Sequence, residues 1–203
     1  MMKTRNYERE ISMDAQQISA VLFISGFAVL VIASLIGPRG IYQTPDLQRR
    51  LQIIDDNKIR WNIAQPLLGL GLSLTAVGFV VLAIWLSTLT NAWIPGLGAV
   101  AIVVGTISGL IFLYRQTIDP IGSYQGIYSG TEMLYYRLSL VGLLLFGVAF
   151  LQADLPAWLG YLTVGSTLLF GIVFLVSRER NGFLTPGLVV ILSLVIAVFL
   201  LRQ

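Results

Sequence analysis

Trp61–Tyr114 reads WNIAQPLLGLGLSLTAVGFVVLAIWLSTLTNAWIPGLGAVAIVVGTISGLIFLY, 54 residues between Arg60 and Arg115 without one Asp, Glu, Lys or Arg. Only a lipid bilayer tolerates such a run. A helix rises ~1.5 Å per residue, so ~20 apolar residues cross the hydrocarbon core and this stretch crosses it twice. Thr90–Trp93, which carries no charge, is the turn between the two arms.

Working outward, the whole 203-residue chain is 56% hydrophobic and 11% charged. Soluble domains carry about 25% charged residues, so the composition leaves room for one membrane bundle and no separate soluble domain. The net charge of +3 comes from few residues. Basic loops facing an anionic leaflet account for it without a nucleic-acid partner. The chain has no Cys and no His. That excludes disulfides, thiolate or imidazole ligation of haem, iron–sulfur clusters and zinc, a Ser–His–Asp triad, a Cys nucleophile and histidine proton relays. No cofactor and no metal is expected.

Six apolar spans are predicted at Ile18–Gly37, Leu67–Leu89, Ile94–Tyr114, Met133–Ala153, Leu155–Ser177 and Phe183–Leu201. The fold class is therefore all-α: a polytopic bundle of six transmembrane helices plus one interfacial amphipathic helix, in a single membrane domain over 1–203. The first span follows Lys3, Arg5 and Arg9 as a signal peptide would. Its ~20-residue apolar core exceeds the ~7–15 residues of a signal h-region, which favours an uncleaved helix. Nine basic residues (Arg39, Arg49, Arg50, Lys58, Arg60, Arg115, Arg137, Arg178 and Arg180) follow the odd-numbered spans, against four (Lys3, Arg5, Arg9 and Arg202) on the other side. The positive-inside rule then puts both termini outside. Spans two and three also echo spans four and five: Ala92-Trp93-Ile94-Pro95-Gly96 resembles Ala157-Trp158-Leu159-Gly160, as a parallel hairpin repeat would.

The interfacial helix is expected over about 45–61. Thr44 suits its N-cap, Pro45 the N1 position and Asp46 the first turn. Leu47, Leu51, Ile54 and Trp61 share one face while Arg49, Arg50, Lys58 and Arg60 line others. That is the pattern of a helix in the headgroup plane, anchored by Trp61, with a docking or anionic-lipid-sensing role as the alternative.

The Arg115–Arg137 segment is the longest expected non-helical stretch, with Asp119-Pro120 and Gly122 marking turns. Its candidate ligand-binding residues are Arg115, Asp119, Tyr124, Tyr128, Glu132 and Arg137, accompanied by Tyr114, Tyr135 and Tyr136. Either arginine could hold a phosphate or carboxylate bidentately, with phenol hydroxyls completing the shell. The alternative is an aromatic belt tied down by Arg–Asp and Arg–Glu pairs.

Within the spans, Gly98, Gly105 and Gly109 form a small-residue face on the third, including a GxxxG. Such faces let membrane helices approach closely, either within the bundle or against a second chain. Gly142, Gly147, Gly160, Gly165 and Gly171 are expected to serve likewise in spans four and five. Pro66, Pro95, Pro156 and Pro186 sit near span starts and none in mid-span, unlike the broken helices of many transporters. Ser25, Ser73, Thr75, Thr106, Ser108, Thr163, Ser166, Thr167 and Ser193 are the deeper polar groups, and each can bond a carbonyl one turn back. No charge lies deep in a span, which disfavours ion-coupled transport.

Leu155-Pro156-Ala157-Trp158-Leu159-Gly160-Tyr161, followed by Gly165, resembles the Leu-Pro-x-Trp-Leu-Gly segment of bacterial multi-span membrane proteins of unknown function. Arg50-Leu51, Ile54 and Arg60-Trp61 resemble the same group. The resemblance implies a bacterial cytoplasmic membrane and carries over no catalytic residue, and the Tyr/Gly segment after Arg115 lies outside it.

Two functions are compatible with these features. One is a non-enzymatic structural or accessory subunit whose partners are the bilayer and other membrane chains, or a second copy through the Gly105/Gly109 face. The other is a binder or passive transporter of a lipid or small neutral solute, gated by 115–137. An enzyme using Asp119 or Glu132 is weakest, since no second acid–base group sits at a usable spacing.

Overall fold

The computed structural model describes residues 2–41, 44, 46–176 and 184–202, with side chains from 14 onward and, in the last segment, from 187. Among the expectations above, Pro45, Ser177, Arg178, Arg180 and Phe183 lie outside the described residues, as do the side chains of Lys3, Arg5, Arg9 and Pro186. Every described element is a helix: α1 Met2–Ile36, α2 Leu47–Asp56, α3 Lys58–Leu86, α4 Trp93–Ile118, α5 Pro120–Tyr124, α6 Ser129–Gln152, α7 Ala157–Val176 and α8 Leu184–Leu200.

Five of these are long and apolar enough to cross a membrane: Asp14–Ile36 within α1, then α3, α4, α6 and α7. The sixth expected span is the shorter α8, apolar over Gly187–Leu200. This is a membrane-embedded all-α bundle. Its outer surface is leucine, isoleucine and valine, as at Leu70, Val77, Val100, Ile107, Leu169 and Ile172, all exposed.

The long helices follow one another around the bundle. α1 packs on α3, α3 on α4, α4 on α6 and α6 on α7, and α8 returns to α1 while touching α6 and α7. The centre is aromatic: Phe79 meets Phe23 at 4.8 Å and Phe146 at 4.9 Å between ring centroids. Ile196 and Leu192 of α8 join the same core.

Two helix pairs approach most closely, and glycine is the reason for both. In α4–α6, a Cβ on Gly98 would lie 3.2 Å from the Gly142 carbonyl, and one on Gly142 would lie 2.5 Å from Ile102 Cγ1. Gly105 faces Leu138 and Ser139, and Gly109 faces the Tyr135 ring. The expected small-residue face is thus filled within the chain by α6. In α1–α3 the equivalent positions are Gly26, Gly71 and Gly78, which the sequence had not marked. A Cβ on Gly71 would lie 2.5 Å from Leu30 Cγ and 3.0 Å from the Gly26 carbonyl. Gly147 and Gly160 admit Val164 and Leu151 at the α6–α7 crossing, but Gly165 and Gly171 have no atom within 4 Å of a Cβ and do not serve the packing expected of them.

Several buried or half-buried hydroxyls turn to their own helices, while buried Ser19 of α1 donates across to Gly78 O of α3 at 3.0 Å. Ser73 donates to Gly69 O, Thr75 to Gly71 O, Thr163 to Leu159 O, Thr167 to Thr163 O and Ser193 to Val190 O, all at 2.6–2.9 Å. Each satisfies a hydroxyl that lipid cannot. One proline departs from expectation: α3 begins at Lys58 rather than near Leu67, so Pro66 lies inside it.

The interfacial helix is shorter than 45–61. Its N-cap is Asp46, whose carboxylate accepts from the Gln48 amide at 3.1 Å, while the Thr44 hydroxyl donates back to Gly40 O. It ends at Asn57, and Trp61 belongs to α3, where it is buried rather than anchored at an interface. Arg60 likewise lines no face of α2. Its Nε donates to Ile36 O at 2.9 Å and its Nη2 to Leu35 O at 3.4 Å, placing a cation on the C-terminus of α1, where the helix dipole favours it.

The glycine contacts predict opposite results at two positions. Gly142→Ala forces a methyl against Ile102 and the Gly98 backbone and should destabilise the bundle by about 1–3 kcal/mol. Gly165→Ala meets open space and should leave the melting temperature unchanged or raise it, by up to about 1 kcal/mol of helix propensity. Thermal melting of both variants in the same detergent distinguishes them, and equal losses contradict the packing described.

Candidate functional site

The end of the bundle carrying α2 and α5 also carries Arg39, Arg49, Arg50, Lys58, Arg60 and Arg115, and we call it the basic end. The 115–137 segment forms most of its cap, but not as the long loop expected. α4 continues to Ile118, Asp119 caps the single turn α5, and α6 begins at Ser129. The irregular remainder is Asp119 and a short link, Gln125–Tyr128, with Gly126 at φ +84°, where a residue bearing Cβ is strained.

Asp119 organises this cap. One carboxylate oxygen accepts from the Gly122 amide at 3.0 Å and the other from the Tyr128 hydroxyl at 2.8 Å. The Arg115 guanidinium lies over the Tyr128 ring, 5.6 Å from its centroid. The Gly122 amide, then the Tyr128 hydroxyl, then the Arg115 charge hold the Asp119 carboxyl below its ordinary 3.8. The same hydrogen bond to Asp119 pushes the Tyr128 phenol upward. A Cβ at Gly122 would run into the Asp119 carboxylate and displace it from this arrangement.

The six expected ligand residues do not converge on one point. Arg115, Asp119 and Tyr128 come together. Glu132 accepts from the Tyr136 hydroxyl at 2.7 Å, one turn along the same helix. Tyr124 stacks under the Arg50 guanidinium, 5.3 Å away, and that guanidinium's Nε donates to Thr44 O, tying the α1–α3 connection to α5. Arg137 stands exposed on α6, apart from the Asp119 cluster. The carboxylates of Asp119 and Glu132 thus take phenol hydroxyls in place of the expected arginine pairs. The Tyr128 and Tyr136 hydroxyls donate to acids of the chain itself. The aromatic belt also fails for Tyr135 and Tyr136, which are buried on α6, while Tyr114 is exposed.

Beneath the cap, Ile41, Ile54 and Trp61 form a small buried cluster, with Ile53 and Tyr124 packed on it. This seats α2 on protein rather than only on lipid. Near it lie buried polar groups that sequence reasoning passed over: Gln65, Gln116 and Ser123. A signal existed for Gln65. It is the amide in the uncharged run placed four residues after Trp61, hence on the same helical face.

Fold and cap together define a polytopic all-α membrane protein with a hydrogen-bonded polar cap at its basic end. No protein-family model matches the chain, and neither a curated protein nor a solved structure matches it.

The cap contacts favour ionised Asp119, so their contribution to stability is complete above its ordinary value of 3.8 and is lost as pH falls below that through the lowered native value. Asp119→Asn should melt lower than wild type at neutral pH. The gap should close as pH is taken down through that window; a gap that stays constant with pH contradicts the role of the charge.

Proposed function

We propose that the protein is a non-enzymatic integral membrane protein acting as an accessory subunit of a membrane assembly. The reading places it in a bacterial cytoplasmic membrane, crossing six times, with its termini outside and the basic end in the cytoplasm. Its support in the interior is chemical silence: no Asp, Glu, Lys or Arg is among the described buried residues. The observation that carries the reading is α7. Only 22% of its membrane window is buried, against 50% for α6. Trp158, Tyr161, Gly165, Leu168 and Ile172 fall on one face of it, and all are exposed. A glycine facing acyl chains forgoes apolar contact and costs up to ~1 kcal/mol of helix propensity. A transmembrane helix of another chain, seated at Gly165, recovers both through close approach. By contrast the Gly160 of the same helix is already occupied by Leu151.

Native purification in mild detergent tests this. Wild type is expected to bring a second membrane protein with it, and Gly165→Leu to lose that protein severalfold while melting normally. A wild-type particle that is a lone monomer sinks the proposal.

The Asp119 cluster favours a second reading, a binder or passive transporter of a lipid or small neutral solute with 115–137 as its gate. Arg115→Ala and Tyr128→Phe should then change solute-driven swelling of proteoliposomes at least severalfold. Unchanged swelling in both variants removes this reading.

A further inference from the structure

Four buried polar atoms at the basic end have no hydrogen-bond partner: Trp61 Nε1, Gln65 Oε1, Ser123 Oγ and Tyr135 OH. Their residues are 2%, 3%, 7% and 6% exposed, so bulk water does not reach them. Folded proteins leave few such atoms, because each unsatisfied one is destabilising. Deeper in the bundle the hydroxyls of Thr75, Thr163 and Thr167 do find a carbonyl.

The four are grouped. Trp61 and Gln65 are one turn apart on one face of α3. Trp61 shares its cluster with Tyr124, the chain neighbour of Ser123 on α5. The Tyr135 ring lies 3.1 Å from where a Gly109 Cβ would stand, and Leu110 beside it lies 3.1 Å from the equivalent point on Gly69. Tyr135 therefore meets α4 beside Leu110, the residue that meets Gly69 one turn beyond Gln65 on α3. All four residues thus lie at the basic end, Trp61 and Gln65 on α3, Ser123 on α5 and Tyr135 on α6, and run inward from the cap.

We propose that this descent is a binding site for an uncharged hydrogen-bonding molecule, either water or a small neutral solute of the polyol or urea kind. The chemistry follows from the atoms. The indole N–H can only donate and the Gln65 carbonyl can only accept, while the two hydroxyls do either. An occupant must therefore offer both an acceptor and a donor. An ion would be buried without a countercharge, and an apolar molecule would leave all four atoms unsatisfied. The site needs neither a partner on α7 nor a gate at Arg115, so the swelling experiment above and the test below fail separately.

Radiolytic hydroxyl-radical labelling of the full chain in nanodiscs free of added solute reads such a site, since bound water yields the radicals where it sits. Trp85 is the control, an indole 6% exposed in the apolar core, and Trp93, 60% exposed, is the reference for open access. Trp61 should oxidise about tenfold faster than Trp85. Gln65→Leu should bring the Trp61 rate down about tenfold, which is what losing one hydrogen bond of ~1.4 kcal/mol does to an occupancy. The rates at Trp85 and Trp93 should not move, which reports that the fold is intact. Glycerol or urea in excess slows Trp61 oxidation relative to that of Trp93 if a solute fills the site, and leaves the ratio unchanged if water does. A Trp61 rate as slow as that of Trp85, or one unaffected by Gln65→Leu, overturns the proposal.

Discussion

A helix in lipid gains nothing by hiding leucine from acyl chains, because the two are equally apolar. Cohesion has to come from backbones close enough for dispersion to accumulate, and from polar groups satisfied without water. In this protein the first condition is met where glycine carbonyls face glycine across a crossing, at Gly26/Gly71 and Gly98/Gly142. The second is met by hydroxyls returning to carbonyls of their own helix and, at Ser19, by one reaching the Gly78 carbonyl of α3. The aromatic centre around Phe79 fills what these two crossings enclose, while the basic end has a small cluster of its own, Ile41, Ile54 and Trp61.

The uncharged run and the hydrophobic lengths of the helices were readable because lipid imposes them on composition alone. So was the face of Gly98, Gly105 and Gly109, since three small residues recur at helical spacing. Gly26 was invisible: it is one glycine in the first span, and its significance depends on Gly71 lying opposite, which no local pattern reveals. Trp61 was misplaced for a related reason. Ile54 to Trp61 is a seven-residue interval that continues an amphipathic pattern straight through a helix break, and the break at Asn57 carries no Gly or Pro to announce it.

The cap was misread by composition. Glycine and tyrosine between Arg115 and Arg137 suggested an extended loop, yet local bonds such as Gly122 and Tyr128 to Asp119 are enough to wind one turn and start α6. The candidate residues therefore form separate pairs, Asp119 with Tyr128 and Glu132 with Tyr136, with Arg50 over Tyr124. Asp119 and Tyr128 are spent on each other, and the unspent hydrogen-bonding capacity lies deeper, on Trp61, Gln65, Ser123 and Tyr135. Those residues carry no charge and form no motif. Only burial without partners distinguishes them.

The seam between α1 and α8 has a consequence for biogenesis. Gln16 Nε2 donates to Leu200 O across 184 positions of chain, and Leu192 and Ile196 complete the core that Phe23 and Phe79 begin. Ribosomes deliver α8 after every helix it touches. Until then, α1 must wait in the bilayer with one flank covered by α3 and the other by lipid. The α1–α3 crossing, with its Arg60 clasp, forms from neighbours in the chain and can lock early. The bundle is thus made as an open arc first and a closed ring last, and a fault in α8 would leave a stable arc with a permanently unsealed edge for membrane quality control to find.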